Sequence, residues 1–157
     1  MRLATLLYSG GKDSHYTLYY AIKKGYKIPF LINLKPIPAS KGKYYFNHPY
    51  CQKIIEIHSS LMRIPVLYYR FDIDKYELFK NKIEIFMKEV YEFARKKAGF
   101  DIKFFFTWDN DDIKAEKKHI EQYNRITSFL TKEKIDFEFP FLKKNMDYII
   151  KNWILNL

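Results

Sequence analysis

The sequence predicts an α/β fold: a doubly wound, mainly parallel five-stranded sheet with helices on both faces. Three observations carry that expectation. Five short apolar runs alternate with amphipathic runs of helical period along the 157 residues, the pattern of a sheet assembled from βαβ units. The run at residues 28–34 is nearly continuous in apolar residues, as expected of a strand inside a parallel sheet. A glycine-containing turn joins the first strand to the first helix, where bare backbone N–H groups and the positive helix end meet at one point.

Taken in order, residues 2–8 read as the first strand, residues 9–14 as the turn and residues 15–24 as the first helix. Gly25 suits the position just past that helix, and Lys23 and Lys24 complement its negative end. Residues 28–34 form the second strand. Residues 35–48 follow as a long loop with two prolines, Gly42 and the run Tyr44-Tyr45-Phe46. Such a loop either holds a ligand or packs its aromatics on the core. Pro49 opens a helix that runs to Arg63, capped by Asn47 or His48, with Ile54, Ile57, His58 and Leu61 as its apolar stripe. Residues 66–71 are the third strand. The longest helix spans residues 74–97, with Tyr76, Phe79, Ile83, Phe86, Val90 and Phe93 on its core face, and Gly99 ends it. Residues 102–108 are the fourth strand, 113–132 a highly charged helix, and 136–141 the fifth strand. Residues 145–157 close the chain as a helix with Met146, Ile149, Ile150, Trp153 and Ile154 apolar. Right-handed crossovers then place a ligand at the carboxyl ends of the strands, where strand order reverses. With no repeat, linker or low-complexity tract, residues 1–157 are expected to form one domain.

Composition narrows the function. Hydrophobic residues make up 48% and aromatics 19%, too many for a disordered chain. The single cysteine, Cys51, excludes an internal disulfide framework and Cys-x-x-Cys cluster sites, and fits a reducing cytoplasm. No signal peptide or long uncharged apolar run is present, so no membrane partner is expected. The net charge of +10 invites a nucleic-acid reading, but only five of the 28 basic residues are arginines and the lysines are scattered. Base readout and bidentate phosphate contacts favour arginine, so the charge argues only weakly for RNA.

The chemistry concentrates in Ser9-Gly10-Gly11-Lys12-Asp13-Ser14. Gly10 and Gly11 permit positive φ and leave no Cβ between backbone and ligand. Ser9 and Ser14 offer hydroxyls to phosphate oxygens, and Lys12 offers a point charge. The spacing is not that of a Walker loop, where a Ser or Thr follows the lysine; here Asp13 follows it. The alternative is a Gly-Gly turn with an ordinary Ser/Asp cap. Asp109, Asp111 and Asp112 end the fourth strand on the same sheet edge and either hold Mg²⁺ or favour a helix N-terminus. They do not make an EF-hand, because Lys114 and Ile120 stand where Gly and Glu are needed. His48 and Cys51 lack the second ligand pair of a zinc site. His15 either faces the phosphate or lies on the helix surface, and His58 and His119 read as structural or exposed. A Gly-x-Ser-x-Gly hydrolase elbow is absent.

The six-residue motif matches the signature of the PP-loop ATP pyrophosphatases, and within that group the chain resembles the diphthine–ammonia ligase family. The likeness rests on residues 8–14 with Tyr19-Tyr20-Ala21-Ile22-Lys23-Lys24-Gly25-Tyr26, and on Phe46-Asn47-His48-Pro49-Tyr50. It continues in Arg63-Ile64-Pro65-Val66, in Arg125-Ile126 and in Phe139-Pro140-Phe141-Leu142. After strand four the sequence departs from the family's Gly-acid pattern with Trp108-Asp109, and Asp112-Ile113 is the displaced counterpart to test. Longer members also carry a Glu-Gly-Gly-Glu type stretch that these residues do not contain. The resemblance implies an adenine nucleotide alpha hydrolase-like, Rossmann-like fold, with ATP and Mg²⁺ as cofactors. It implies adenylation of a diphthine carboxylate on translation elongation factor two, then amidation by ammonia with release of AMP and pyrophosphate. It assigns catalysis to Lys12 and Asp13. Ser9, Gly10, Gly11, Lys12 and Ser14 would bind the phosphates, and Ile32 and Asn33 would border the adenine. Asp13, Asp109 and Asp112 would be metal ligands. The alternatives are a PP-loop enzyme adenylating a tRNA base and a non-catalytic ATP- or AMP-binding module. A homo-oligomer is left open.

Overall fold

The computed structural model describes residues 2–37, 51–72, 83–106, 117–140 and 151. Among them the chain runs β1 (Arg2–Leu6), α1 (Lys12–Lys23), β2 (Tyr26–Lys27), β3 (Leu31–Ile37), α2 (Cys51–Met62) and β4 (Val66–Asp72). It continues through α3 (Ile83–Ala98), β5 (Lys103–Phe105), α4 (Lys117–Lys132) and β6 (Phe137–Glu138). Residues 35–37, expected to open the long loop, instead end β3. The rest of that loop with its aromatic run, residues 74–82 of the expected longest helix, Asp109, Asp111, Asp112 and nearly all of the closing helix lie outside the described residues.

All strand pairs are parallel. β1 pairs with β2 on one side and β5 on the other, β6 lies beyond β5, and β3 pairs with β4 over seven residues. A bridge between Leu7 and Ile32 ties β1 to β3. Across the sheet the order is therefore β4, β3 with β2, β1, β5, β6. The chain builds outward from β1 in both directions, so order reverses between β1 and β5.

The expected strand at residues 28–34 is instead two segments, and this corrects the count of five strands to six among the described residues. Pro29 supplies the reason, because it has no N–H for the ladder. The break is satisfied from outside: the buried Thr5 hydroxyl donates to the Phe30 carbonyl at 2.8 Å, and Leu31 N–H donates to the Pro65 carbonyl at 2.9 Å. Through this break the chain changes partner, from β1 at Tyr26–Lys27 to β4 from Leu31 onward.

Two cores lie on opposite faces, as the alternation of side chains along a strand requires. Ala4, Leu6, Tyr8, Leu31 and Phe105 pack with Leu18 and Ala21 of α1 and Ile55 of α2. Ile32, Leu34, Phe104 and Phe106 pack with Phe86, Val90 and Ala94 of α3 and Ile126 and Leu130 of α4. Helices α1 and α2 thus cover one face, and α3 and α4 the other. The core face expected for the longest helix holds at Phe86, Val90 and the half-buried Phe93.

Helix α2 differs from its expectation. Ile54, Ile57 and Leu61 are exposed, Leu61 at 76%, whereas Ile55 is fully buried. Two apolar arcs run along this helix at helical spacing, and the one carrying Ile55, His58 and Met62 faces the sheet.

Candidate functional site

The carboxyl edge of β1 leads through Leu7 and Tyr8 into the glycine turn. Gly10 holds φ at +79°, a region only glycine visits cheaply. Gly11, read from sequence as a second positive-φ position, has φ −79° and ψ 167°, extended backbone open to any residue. A Cβ there would meet the Ser9 Oγ at 3.4 Å, an ordinary contact. The strain expected of a side chain at Gly11 therefore belongs to Gly10; Gly11 leaves backbone uncovered.

Helix α1 begins at Lys12, three residues before the expected start. Lys12, Asp13 and Ser14 are its first three residues, and their N–H groups have no acceptor within a helix. Gly11 is the N-cap and no side-chain cap is made. Bare N–H groups at the positive end of a 12-residue helix favour negative charge nearby.

The serines brace this turn. Ser9 Oγ accepts from Gly11 N–H at 3.3 Å and donates to Ser14 Oγ at 3.3 Å, and Ser14 Oγ donates to the Gly11 carbonyl at 2.9 Å. Ser14 is buried, and its hydroxyl braces the turn from beneath. Lys12 Nζ lies 2.7 Å from Asp13 Oδ1, with the two side chains 57% and 34% exposed. Exposed pairs of this kind contribute about 0–1 kcal/mol, so an arriving anion can take the ammonium from Asp13 at little cost.

Ile32 and Asn33, expected near adenine, form the floor of the turn. The Ile32 carbonyl accepts from Tyr8 N–H at 2.7 Å, and the Asn33 amide donates to the Tyr8 carbonyl at 2.8 Å. Both residues are buried.

A cluster that sequence reasoning did not assemble stands beside the loop. The Tyr8 hydroxyl lies 3.0 Å from His15 Nδ1 and 2.7 Å from His58 Nδ1, and the imidazole centroids are 5.3 Å apart. Burial pushes the Tyr8 hydroxyl up to about 12. Burial and then the neighbouring His58 hold the His15 imidazole below its ordinary value. The expectation of His15 on the helix surface is met in that it is exposed, and the expectation of a structural His58 is met in its half-buried contact. The one signal in the sequence was position: Tyr8 and His15 directly flank the motif.

Among the described residues no group of three or more His, Cys, Asp or Glu could hold a metal ion. Asp13 is a lone carboxylate at the cradle, which suits Mg²⁺ only where substrate phosphates complete the shell. No helix among the described residues is long and apolar enough to cross a membrane.

A glycine turn with an uncapped helix end, a flexible lysine and Asp13 behind it, set at the carboxyl edge of a parallel sheet, defines the PP-loop class of ATP pyrophosphatases. The family model of the diphthamide synthase N-terminal domain matches residues 1–89, more than half of the 157-residue chain, and the chain belongs to that family. The match takes in the whole cradle, its floor and His58. No curated protein matches the chain.

Proposed function

We propose that this domain is an ATP-dependent adenylating ligase of the diphthine–ammonia ligase type. It activates a carboxylate of diphthine on elongation factor two as an acyl-adenylate for attack by ammonia. The observation that carries the reading is the uncapped N-terminus of α1 behind Gly10 and Gly11, inside the matched family segment. The cradle fits a terminal pyrophosphate: the N–H groups of the first helical turn face the anion, and Lys12 offsets its charge. Ser9 and Ser14 keep the turn in shape. The α-phosphorus is left open to the acceptor's oxygen, so the turn contributes mainly orientation and neutralisation of the departing pyrophosphate. Ile32 and Asn33 support the strand edge along which adenine would lie. Asp13 would hold Mg²⁺, with Asp109 and Asp112 as further candidates, and the ion would supply additional charge neutralisation on the phosphates. Residues 1–157 act as one unit in this reading, in the cytoplasm.

ATP labelled at the γ-position tests the bond cleaved. With the diphthine-bearing acceptor and ammonium present, the label should appear in pyrophosphate with AMP as co-product. Labelled orthophosphate with ADP, in a pyrophosphatase-free assay, overturns adenylation. Pyrophosphate release with tRNA and none with the protein acceptor would move the assignment to base adenylation.

A further inference from the structure

The six-residue loop is closed at its base by the residues on either side of it. Tyr8 precedes Ser9, His15 follows Ser14, and their side chains meet at 3.0 Å. The same hydroxyl meets His58 of α2 at 2.7 Å. Tyr8 is held on its backbone as well, by Ile32 and Asn33 of β3. One residue therefore joins both ends of the loop, the helix that follows it and the neighbouring helix to a buried strand.

We propose that Tyr8, His15 and His58 are positioning residues for the loop, a clasp that keeps the N–H groups of residues 12–14 preorganised for pyrophosphate. The proposal rests on the phosphate reading of that loop. A loop held in its binding geometry loses less conformational freedom when the anion arrives, and the affinity gained comes from that saving. The hydrogen count makes the clasp specific. A tyrosine hydroxyl has one proton and can donate to only one Nδ1, so the other imidazole must donate its own Nδ1–H to the Tyr8 oxygen. The two neutral rings are thus held in opposite tautomers.

Two measurements on the full chain test this. In ¹⁵N spectra of the imidazoles at mildly alkaline pH, one of His15 and His58 should carry its proton on Nδ1 and the other on Nε2. Tyr8→Phe, which keeps the ring in the core, should abolish that difference. Two Nε2–H rings in the wild type overturn the clasp. In calorimetry with inorganic pyrophosphate, Tyr8→Phe and His58→Leu should bind about three- to tenfold more weakly, the scale of one or two hydrogen bonds. His58→Asn, whose amide reaches the place of Nδ1, should recover much of the loss, which a variant that merely unpacked the helix would not show. Lys12→Ala separates the two readings. Affinity lost in Lys12→Ala but untouched in Tyr8→Phe and His58→Leu overturns the clasp alone. A wild type that does not bind pyrophosphate overturns the phosphate reading and the clasp with it.

Discussion

The two edges of the sheet handle charge in opposite ways. At the amino edge, Lys103 of β5 lies 3.2 Å from Asp136 and 3.1 Å from Glu138, and Tyr20 of α1 donates to the same Glu138 at 2.8 Å. Its side chain is 15% exposed, and its ammonium also lies over the Tyr26 and Phe105 rings. At the carboxyl edge, Lys12 is 57% exposed and its partner is its own neighbour in sequence. The helix that begins there has no side-chain cap. One lysine is locked among carboxylates from another strand and contributes to stability. The other is held loosely beside open backbone donors, which is what the proposed phosphate role asks of it.

The largest effect expected from this contrast is at Lys12. Lys12→Ala should weaken ATP or pyrophosphate binding about ten- to hundredfold, the loss of a charge-assisted contact. Its unfolding midpoint should match the wild type, because the pair it breaks is exposed and Asp13 remains favourable in the first turn of α1. Unchanged affinity in the folded variant removes Lys12 from the cradle and erases the contrast.

Lys103→Met should do the reverse, leaving pyrophosphate affinity intact while costing about 1–2 kcal/mol of stability as Asp136 and Glu138 lose the ammonium they share. Denaturant unfolding measures it, and a loss of phosphate affinity of the same size as at Lys12 would show the edges are not separate. The pH dependence sharpens the test. Burial pulls the Lys103 ammonium down, but its hydrogen bonds to Glu138 and Asp136 and their charges outweigh burial and hold it above 10.5. A group whose folded pKa is raised stabilises the fold fully below its unfolded pKa and ceases to do so as pH climbs through the folded one. The gap between wild type and Lys103→Met should therefore be constant near neutrality and close above about pH 10.5.

Parts of the carboxyl edge also differed in how legible they were. The strand–turn–helix and the positive φ of Gly10 were readable because they are local, whereas the extended Gly11 and the helix start at Lys12 were not. The clasp was not, since Tyr8 and His58 are 50 residues apart and nothing periodic marks a tyrosine hydroxyl that ends between two imidazoles. The register of α2 misled for a related reason. Ile54, Ile57 and Leu61 satisfy a helical stripe as well as Ile55 and Met62 do, and His58 fits either arc, so spacing alone does not choose between them. The split of the second strand could be traced to Pro29, but the partner exchange that follows depends on the Pro65 carbonyl and is tertiary.

The smallest effect concerns the turns of the amino edge. All four described helices lead into their next strand through a residue of positive φ: Gly25 at 80°, Arg63 at 53°, Gly99 at 77° and Lys134 at 56°. The glycines announced their turns in the sequence, whereas Arg63 and Lys134 gave no sign. At Lys134 the closing pattern is that of a helix terminated by a left-handed residue. Lys134 N–H donates to Thr131 at 3.1 Å, and Ile135 N–H reaches back to Leu130 at 3.0 Å. A side chain with a Cβ in that region costs about 1–2 kcal/mol, whereas glycine gives back about 0.5–1 kcal/mol through the freedom it adds to the unfolded chain. Lys134→Gly should therefore stabilise the fold by about 0.5–1 kcal/mol, read as a higher denaturant midpoint with an unchanged slope. The Lys134 side chain is exposed, so no contact is lost that would offset the gain. Pyrophosphate affinity should not move, since the turn lies at the far edge from the cradle. A destabilised Lys134→Gly would mean that the side chain supports this edge in a way its exposure does not show, and the amino edge would then be more than a set of interchangeable turns.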